Sequence, residues 1–147
     1  MKLITHYAFA VGLLALAFPH QLLFAVLLGI AVNFIIDLGH ASANGLPRRS
    51  YLTHSVFTAP LIGFAVGAIT AYLGLSAGIS LNLAVVSLMG VLSALAHLLL
   101  DSITEGGIFI FRNRFALAHF KYNNAVLNIF FLLIGIGMFF LGLFEGV

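Results

Sequence analysis

The only two aspartates of this chain, Asp37 and Asp101, each end a long apolar run. Each has a histidine at helical spacing, since His40 follows Asp37 by three residues and His97 precedes Asp101 by four. Residues three or four apart share one face of an α-helix, so each pair can turn toward a common point. An ionisable group inside a membrane-length run is expensive and indicates a functional site with a partner. Imidazole nitrogen and carboxylate oxygen are zinc ligands, so the two pairs predict a divalent metal site.

The predicted metal site draws its ligands from several apolar runs. We expect one four-coordinate shell from Asp37, His54, His97 and Asp101, the usual coordination number of zinc. His6 is expected to hold a second ion together with Asp101, or to lie just outside the shell. The chain has no cysteine, so thiolates cannot contribute. We therefore expect one or two divalent ions, with zinc as the expected metal.

Further polar residues near these ligands suggest hydrolysis of a phosphoester. Arg48 and Arg49 are expected to hold phosphate, because guanidinium forks match phosphate geometry. Glu105 is a candidate general base, and Asp37 is a second candidate catalytic carboxylate. The predicted outer residues, which would hold or orient the ligands, are His40, Ser55 and Thr104.

Five apolar runs must position these side chains. They are Leu3–Phe18, Gln21–Ile36, Leu52–Leu75, Ile79–Leu100 and Ala125–Phe144. They are continuous and lack the period-2 alternation of a barrel, so they predict an all-α membrane bundle of about five helices in a single domain, residues 1–147. The first two runs are short against the roughly 20 residues of a full span and could form a hairpin.

Composition supports an integral membrane protein. The chain is 63% hydrophobic and 7% charged, whereas a soluble domain has about a quarter charged residues. Its net charge of +2 gives no argument for a nucleic-acid partner. A membrane lipid, a lipid-linked substrate, a second copy of the chain or a membrane partner subunit fits this composition better.

The positive charges indicate an orientation. With five spans, all six Lys and Arg residues fall on one side, which predicts a cytoplasmic N-terminus and an external C-terminus. All the candidate site residues fall on that same side. Lys2 and the apolar stretch after it imitate a secretory signal, but we expect the first helix to be retained.

Each motif taken alone has a simpler explanation. His97 and Asp101 could form an interhelical hydrogen-bonded pair, and Asp37 with His40 could mark a helix end entering water. Arg48 and Arg49 could be topology signals only. The segment around His54 could be a helix N-cap. The metal hypothesis depends on the convergence of these motifs at one membrane face.

The chain resembles the YdjM-type family of small membrane-bound proteins that are predicted to be metal-dependent hydrolases. The similar elements run in order along nearly the whole chain: Thr5-His6, Asp37-Leu38-Gly39-His40, Arg48-Arg49, Leu52-Thr53-His54-Ser55, Ser93 to His97 with Asp101, and Thr104-Glu105-Gly106-Gly107. Archaeal membrane proteins share this layout, which suggests an archaeal source. The resemblance implies a membrane-embedded hydrolase.

The order of the candidate ligands also resembles the first half of the zinc-dependent phospholipase C and single-strand nuclease superfamily. That resemblance implies one metal held by Asp37, His54, His97 and Asp101, and a second held by His6, Asp101 and the N-terminal backbone. The later ligands of that superfamily are missing here, so a three-metal cluster and nuclease activity are not expected.

Together these features predict metal-dependent hydrolysis of a phosphoester on a membrane lipid or lipid-linked molecule at the cytoplasmic face. Two other functions remain open. Intramembrane His and Asp can also form a proton or metal-ion transport route. A chain of this size could instead be a non-catalytic subunit of a membrane complex.

Overall fold

The computed structural model of the chain describes residues 1–43 and 46–146, without the side chains of residues 41–48. Five α-helices form a bundle, namely α1 (Leu3–Ala17), α2 (Leu22–Asp37), α3 (Thr58–Ser76), α4 (Leu83–Ser102) and α5 (Ala125–Glu145). A 3₁₀ turn at Pro19–Gln21 joins α1 to α2. Two antiparallel hairpins lie in the polar connections, formed by β1 (His40–Ala43) with β2 (Leu46–Arg49), and by β3 (Ile108–Ile110) with β4 (Asn113–Phe115).

The helical membrane bundle expected from the sequence is confirmed. Four helical segments are 19 to 21 residues long with mean hydropathy between 1.6 and 2.5: α2 with its preceding turn, α3, α4 and α5. These are long and apolar enough to cross a hydrocarbon core of about 30 Å. The fifth helix, α1, has 15 residues and so a length of roughly 22 Å.

The third apolar run does not become helical where the sequence predicts. Residues 52–57 form turns, and α3 begins only at Thr58. The reason is a tertiary contact with the second hairpin, in which Phe109 N donates to His54 O and Val56 N donates to Phe109 O. The backbone on either side of His54 is therefore hydrogen-bonded as in a β-strand, and this pairing fixes the position of His54 just before α3.

Helix α4 lies inside the bundle, where it packs against α1, α2 and α3. Small residues permit close helix packing, as is common in membrane bundles. A Cβ atom on Gly90 would meet the carbonyl oxygen of Gly63 on α3, and a Cβ on Gly12 of α1 would meet that of Gly135 on α5. The resulting core buries the side chains of α4 that face α1 and α2, including its histidine and aspartate.

Successive helices run in opposite directions, so alternate helix ends lie on one side of the bundle. The start of α1, the end of α2, the segment before α3 and the end of α4 therefore meet, and both β-hairpins lie beside them. We call this side the hairpin end. His20 lies in the turn between α1 and α2, away from that end, as the sequence predicts.

Candidate metal centre

Asp101 is the hub of a buried cluster at the hairpin end. Its side chain is only 1% exposed in the last turn of α4. One carboxylate oxygen, Oδ1, lies 3.2 Å from His6 Nε2 and 2.6 Å from Arg49 Nη2. The other, Oδ2, lies 3.3 Å from His97 Nε2 and 3.5 Å from His54 Nε2. A single carboxylate thus touches side chains from four separate segments.

The second aspartate approaches the same cluster from α2. Asp37 Oδ1 lies 3.6 Å from His97 Nε2 and 3.4 Å from His40 Nδ1. The His40 ring stacks on His54, with ring centroids 4.6 Å apart. The structure therefore brings together all five residues that the sequence predicts as metal ligands: His6, Asp37, His54, His97 and Asp101.

The spacing of these atoms fits a small divalent ion. Bonds of about 2.0–2.1 Å in a tetrahedral shell put neighbouring ligand atoms roughly 3.3–3.4 Å apart. His97 Nε2 lies 3.3 Å from Asp101 Oδ2 and 3.6 Å from Asp37 Oδ1. Two overlapping sets could each hold an ion, His6 with His97 and Asp101, and Asp37 with His54 and His97.

Unpaired polar atoms at the centre of the cluster also fit a bound cation. Among the described residues, His54 Nε2, His97 Nε2 and Asp101 Oδ2 are buried and lack a hydrogen-bond partner. Buried polar groups without partners are rare in folded proteins and call for a missing ligand. A cation between these atoms would satisfy all three, so the residues present could hold a metal ion.

Hydrogen bonds from α2 determine which nitrogen of His97 faces the cluster. Asn33 Nδ2 donates to the carbonyl oxygen of Gly29 at 2.7 Å and to Ser93 Oγ at 3.1 Å. The amide oxygen of Asn33 must therefore face His97 Nδ1, which donates to it at 2.8 Å. A neutral His97 then presents an Nε2 lone pair to two carboxylates. A lone pair in that position suits a metal ligand.

The protonation state of His54 also suits cation binding. It is fully buried, and burial lowers the pKa of His54 to about 3. The imidazole is therefore neutral at pH 7, which is the protonation state that a metal requires. Its Nδ1 lies 2.8 Å from Thr53 Oγ1, and this contact orients the ring.

Comparison with known proteins places the chain in a family. The model of a family described as protein of unknown function (DUF1286) matches residues 1–100. The chain belongs to the DUF1286 family. No curated protein and no solved structure matches it. The DUF1286 match includes four of the five candidate metal ligands, His6, Asp37, His54 and His97, and ends one residue before Asp101.

Of the two predicted phosphate ligands of this DUF1286 protein, Arg48 and Arg49, only Arg49 has a described side chain. Arg49 points into the cluster, where its Nη2 contacts Asp101 Oδ1 and also donates to Thr104 Oγ1 at 3.2 Å. Its Nη1 donates to the carbonyl oxygen of Gly107. Arg49 thus neutralises a buried carboxylate as well as lining the cavity described below. The side chain of Arg48 lies outside the described part of the chain.

The predicted outer residues divide into two groups. His40 contacts Asp37, and Thr104 accepts from Arg49 while its own hydroxyl donates to the carbonyl oxygen of Asp101 at 3.0 Å. Ser55 is buried, and its Oγ accepts from Phe57 N at 3.3 Å; within the described part of the chain it forms no hydrogen bond to the cluster. Its role in the described structure is to cap the turn before α3.

Glu105, the candidate general base, does not continue the helical face of Asp101. Helix α4 ends at Ser102, and the backbone of Glu105 instead bonds to the segment after β4, donating from N to Phe120 O at 2.8 Å. Its side chain is exposed, and among the described residues it forms no ion pair. Glu105 therefore lies near the cluster without touching it.

A cavity of about 1270 Å³ opens beside the cluster at the hairpin end. Asp37, His40 and Arg49 form its inner side. Further charged and apolar residues form the rest of the lining, among them Lys2, Glu105, Arg114, Leu3, Phe109 and Tyr122. The cluster is therefore buried on the α4 side yet reachable from the cavity at Asp37 and Arg49.

Two residues that position His97 were missed in the sequence. Asn33 lies four residues before Asp37, and Ser93 lies four residues before His97. Both are buried polar residues in apolar runs, at the helical spacing that places them beneath a candidate ligand. That spacing was available in the sequence, but the contact between Asn33 and His97 joins two helices and depends on how they pack.

Replacing Asn33 with leucine is expected to weaken divalent metal binding by about 10–100-fold, the usual effect of losing a partner that orients a histidine ligand. His97 would lose the acceptor that holds its Nδ1 proton. Ser93→Ala is expected to have a smaller effect, because Asn33 would keep its bond to Gly29. Calorimetric titration of the purified metal-free proteins with zinc would measure both. Unchanged zinc affinity in Asn33→Leu would contradict the role of Asn33.

Proposed function

We propose that this protein is a metal-dependent hydrolase of a phosphoester on a membrane lipid or lipid-linked molecule, acting at the cytoplasmic face. The observation that carries the proposal is the convergence of His54 Nε2, His97 Nε2 and Asp101 Oδ2, all buried and unpaired among the described residues. Side chains in this state are suited to hold a cation next to an open cavity.

The residues of the site divide the chemistry between them. His54, His97, Asp101 and Asp37 would hold one ion, with His6 available to a second beside Asp101. A divalent ion of this kind, with zinc as the proposed metal, lowers the pKa of a coordinated water toward about 7 and polarises a phosphoryl oxygen. Asp37 lies at the boundary between the cluster and the cavity, where it can accept a proton from an attacking water.

The charges around the cavity fit an anionic substrate. Lys2, Arg49 and Arg114 line it and can hold phosphate oxygens. Glu105 lines it too and is placed to exchange protons with the leaving group. The basic residues cluster at the hairpin end, which under the positive-inside rule supports a cytoplasmic location for that end. The YdjM-type resemblance supports the same function.

Ion transport is the weaker alternative. The buried ionisable side chains in the described residues are His6, His54, His97 and Asp101, and all four lie at the hairpin end. A transport route needs polar groups through the depth of the membrane. The distribution therefore favours a site at one surface.

Hydrolysis can be tested with two lipids of known structure. Phosphatidic acid offers a phosphomonoester and phosphatidylglycerol a phosphodiester, each presented in mixed micelles with zinc-loaded protein. We expect release of phosphate or of a phosphorylated headgroup. The hydrolysis rate should fall by more than about 100-fold in the His97→Ala, Asp101→Ala double variant, because loss of even an outer partner of a metal ligand lowers activity by about 10–100-fold. His20→Ala, at the other end of the bundle, is the control. No release from either lipid, or equal release by the double variant, would overturn the proposal.

A further inference from the structure

A second concave space lies beside the cavity at the hairpin end. It is a groove of about 410 Å³ between α1, α2 and α5, and its lining is almost entirely apolar. Residues at helical spacing form its walls, among them Ile4, Tyr7 and Val11 of α1, Val26 and Ile30 of α2, and Phe139 of α5. Because the lining offers almost no polar surface to bind water or a polar ligand, the groove suits a hydrocarbon.

The groove and the polar cavity are neighbours along α1 and α2. Leu3 lines the cavity and the next residue of α1, Ile4, lines the groove. On α2, Asp37 lines the cavity and Ile30 lines the groove two turns earlier on the same helix face. From Ile4 to Val11 the groove follows α1 for roughly 10 Å into the bundle. A molecule with a polar head and an apolar tail could occupy both spaces.

The walls of the groove are held by close helix contacts. A Cβ atom on Gly29 of α2 would meet the side chain of Val11, and one on Gly135 of α5 would meet the carbonyl oxygen of Ala8. These contacts fix α1 tightly against both neighbours. The concavity is therefore part of the packed bundle, and its shape does not depend on a mobile loop.

We propose that this groove holds one hydrocarbon chain of an anionic phospholipid whose phosphate lies in the polar cavity. Lys2, Arg49 and Arg114 supply the charge complementarity, since all three line the cavity that neighbours the groove along α1. The inference rests on the proposed function and narrows its substrate to a lipid bound by tail and phosphate together. It also explains how a phosphoester is drawn to the cluster from the surrounding bilayer.

Photolabelling tests the groove without any turnover. The probe is phosphatidic acid with a diazirine in one acyl chain, supplied to the purified full chain in nanodiscs with EDTA. Diacylglycerol with the same labelled chain is the matched probe without phosphate. After irradiation, mass spectrometry maps the labelled peptides. We expect labelling concentrated on residues 4–11, 26–30 and 135–140, and roughly fivefold stronger for phosphatidic acid, a difference of ~1 kcal/mol.

A pair of variants tests the space itself. Ile30 of α2 and Ile69 of α3 are both exposed apolar residues, at 44% and 59%, but only Ile30 lines the groove. Ile30→Trp should fill the groove and reduce labelling of residues 4–11 by roughly fivefold, whereas Ile69→Trp should leave it unchanged. Equal loss in both variants would contradict the proposal.

The wild-type protein provides an independent outcome. Labels spread evenly over all lipid-facing helices, equal labelling by the two probes, or protein–protein crosslinks at the groove would each overturn this proposal. Failure of the proposed hydrolysis has a separate signature. Groove labelling by phosphatidic acid, with no release of phosphate or phosphorylated headgroup from either test lipid by the zinc-loaded protein, would reject hydrolysis and leave the lipid site standing.

Discussion

Replacing His97 with alanine is expected to abolish divalent metal binding, the largest effect of any single substitution in the cluster. His97 Nε2 belongs to both sets of candidate ligands, the set with His6 and Asp101 and the set with Asp37 and His54. Its loss leaves neither set complete. The expected fall in zinc affinity exceeds the about 10–100-fold that follows loss of an outer partner.

Variants of the two other buried histidines separate the two sets. His6→Ala leaves Asp37, His54 and His97 in place, and His54→Ala leaves His6, His97 and Asp101 in place. Each should therefore retain binding of one ion, while His97→Ala retains none. Elemental analysis of the purified proteins after equilibration with zinc would measure the stoichiometry, with His20→Ala as the control. Equal zinc content in His97→Ala and wild type would contradict the proposal that these residues form a metal centre.

Replacing Asp101 with alanine is expected to destabilise the metal-free protein by about 3–5 kcal/mol. Asp101 forms a 2.6 Å ion pair with Arg49, and the two side chains are only 1% and 13% exposed. Removing the carboxylate leaves a buried guanidinium without its counter-charge, which is more damaging than removing both members of the pair. Unfolding in detergent micelles by added SDS, followed by circular dichroism, would measure the change.

The double variant Asp101→Leu, Arg49→Met separates this charge effect from metal binding. It should recover part of the lost stability, because the guanidinium is removed together with its counter-charge. The buried Met1 ammonium, 3.2 Å from Asp101 Oδ1 in the wild type, still loses its partner, so the recovery is not complete, and zinc binding should not return. A matched control is Asp37→Ala, since Asp37 is 18% exposed and faces imidazoles rather than a guanidinium. If Asp101→Ala and the double variant were equally destabilised, the ion pair would not be the source of the effect.

The prediction from the sequence was most accurate where the physics is local. The spacing of His97 and Asp101 places them on one helix face, and in the structure His97 Nε2 lies 3.3 Å from Asp101 Oδ2. Continuous apolar runs gave helices whose ends lie within a few residues of those expected, except at α3. Runs that each cross the membrane alternate in direction, so the order of the runs predicts that Asp37, His54 and Asp101 lie on one side of the bundle.

Other features depended on contacts between distant residues. Arg49 lines the cavity, but it also pairs with Asp101, a contact that the sequence did not indicate, because a buried carboxylate needs a counter-charge in a medium of low dielectric. The turns at residues 52–57 come from pairing with Phe109, more than fifty residues away. The bond between Asn33 and His97 likewise requires α2 and α4 to pack in one register.

The sequence by itself therefore determined the helical membrane class, the ionisable residues and the side of the bundle where they meet. Hydropathy and helical periodicity are properties of neighbouring residues, so they do not depend on how distant parts of the chain pack. Only the tertiary structure decided which nitrogen of His97 faces the cluster, where Arg49 points and that an apolar groove lies near the cavity. Those features depend on interhelical distances of a few ångströms, which the close contacts at residues such as Gly29 and Gly135 set and which no local pattern encodes.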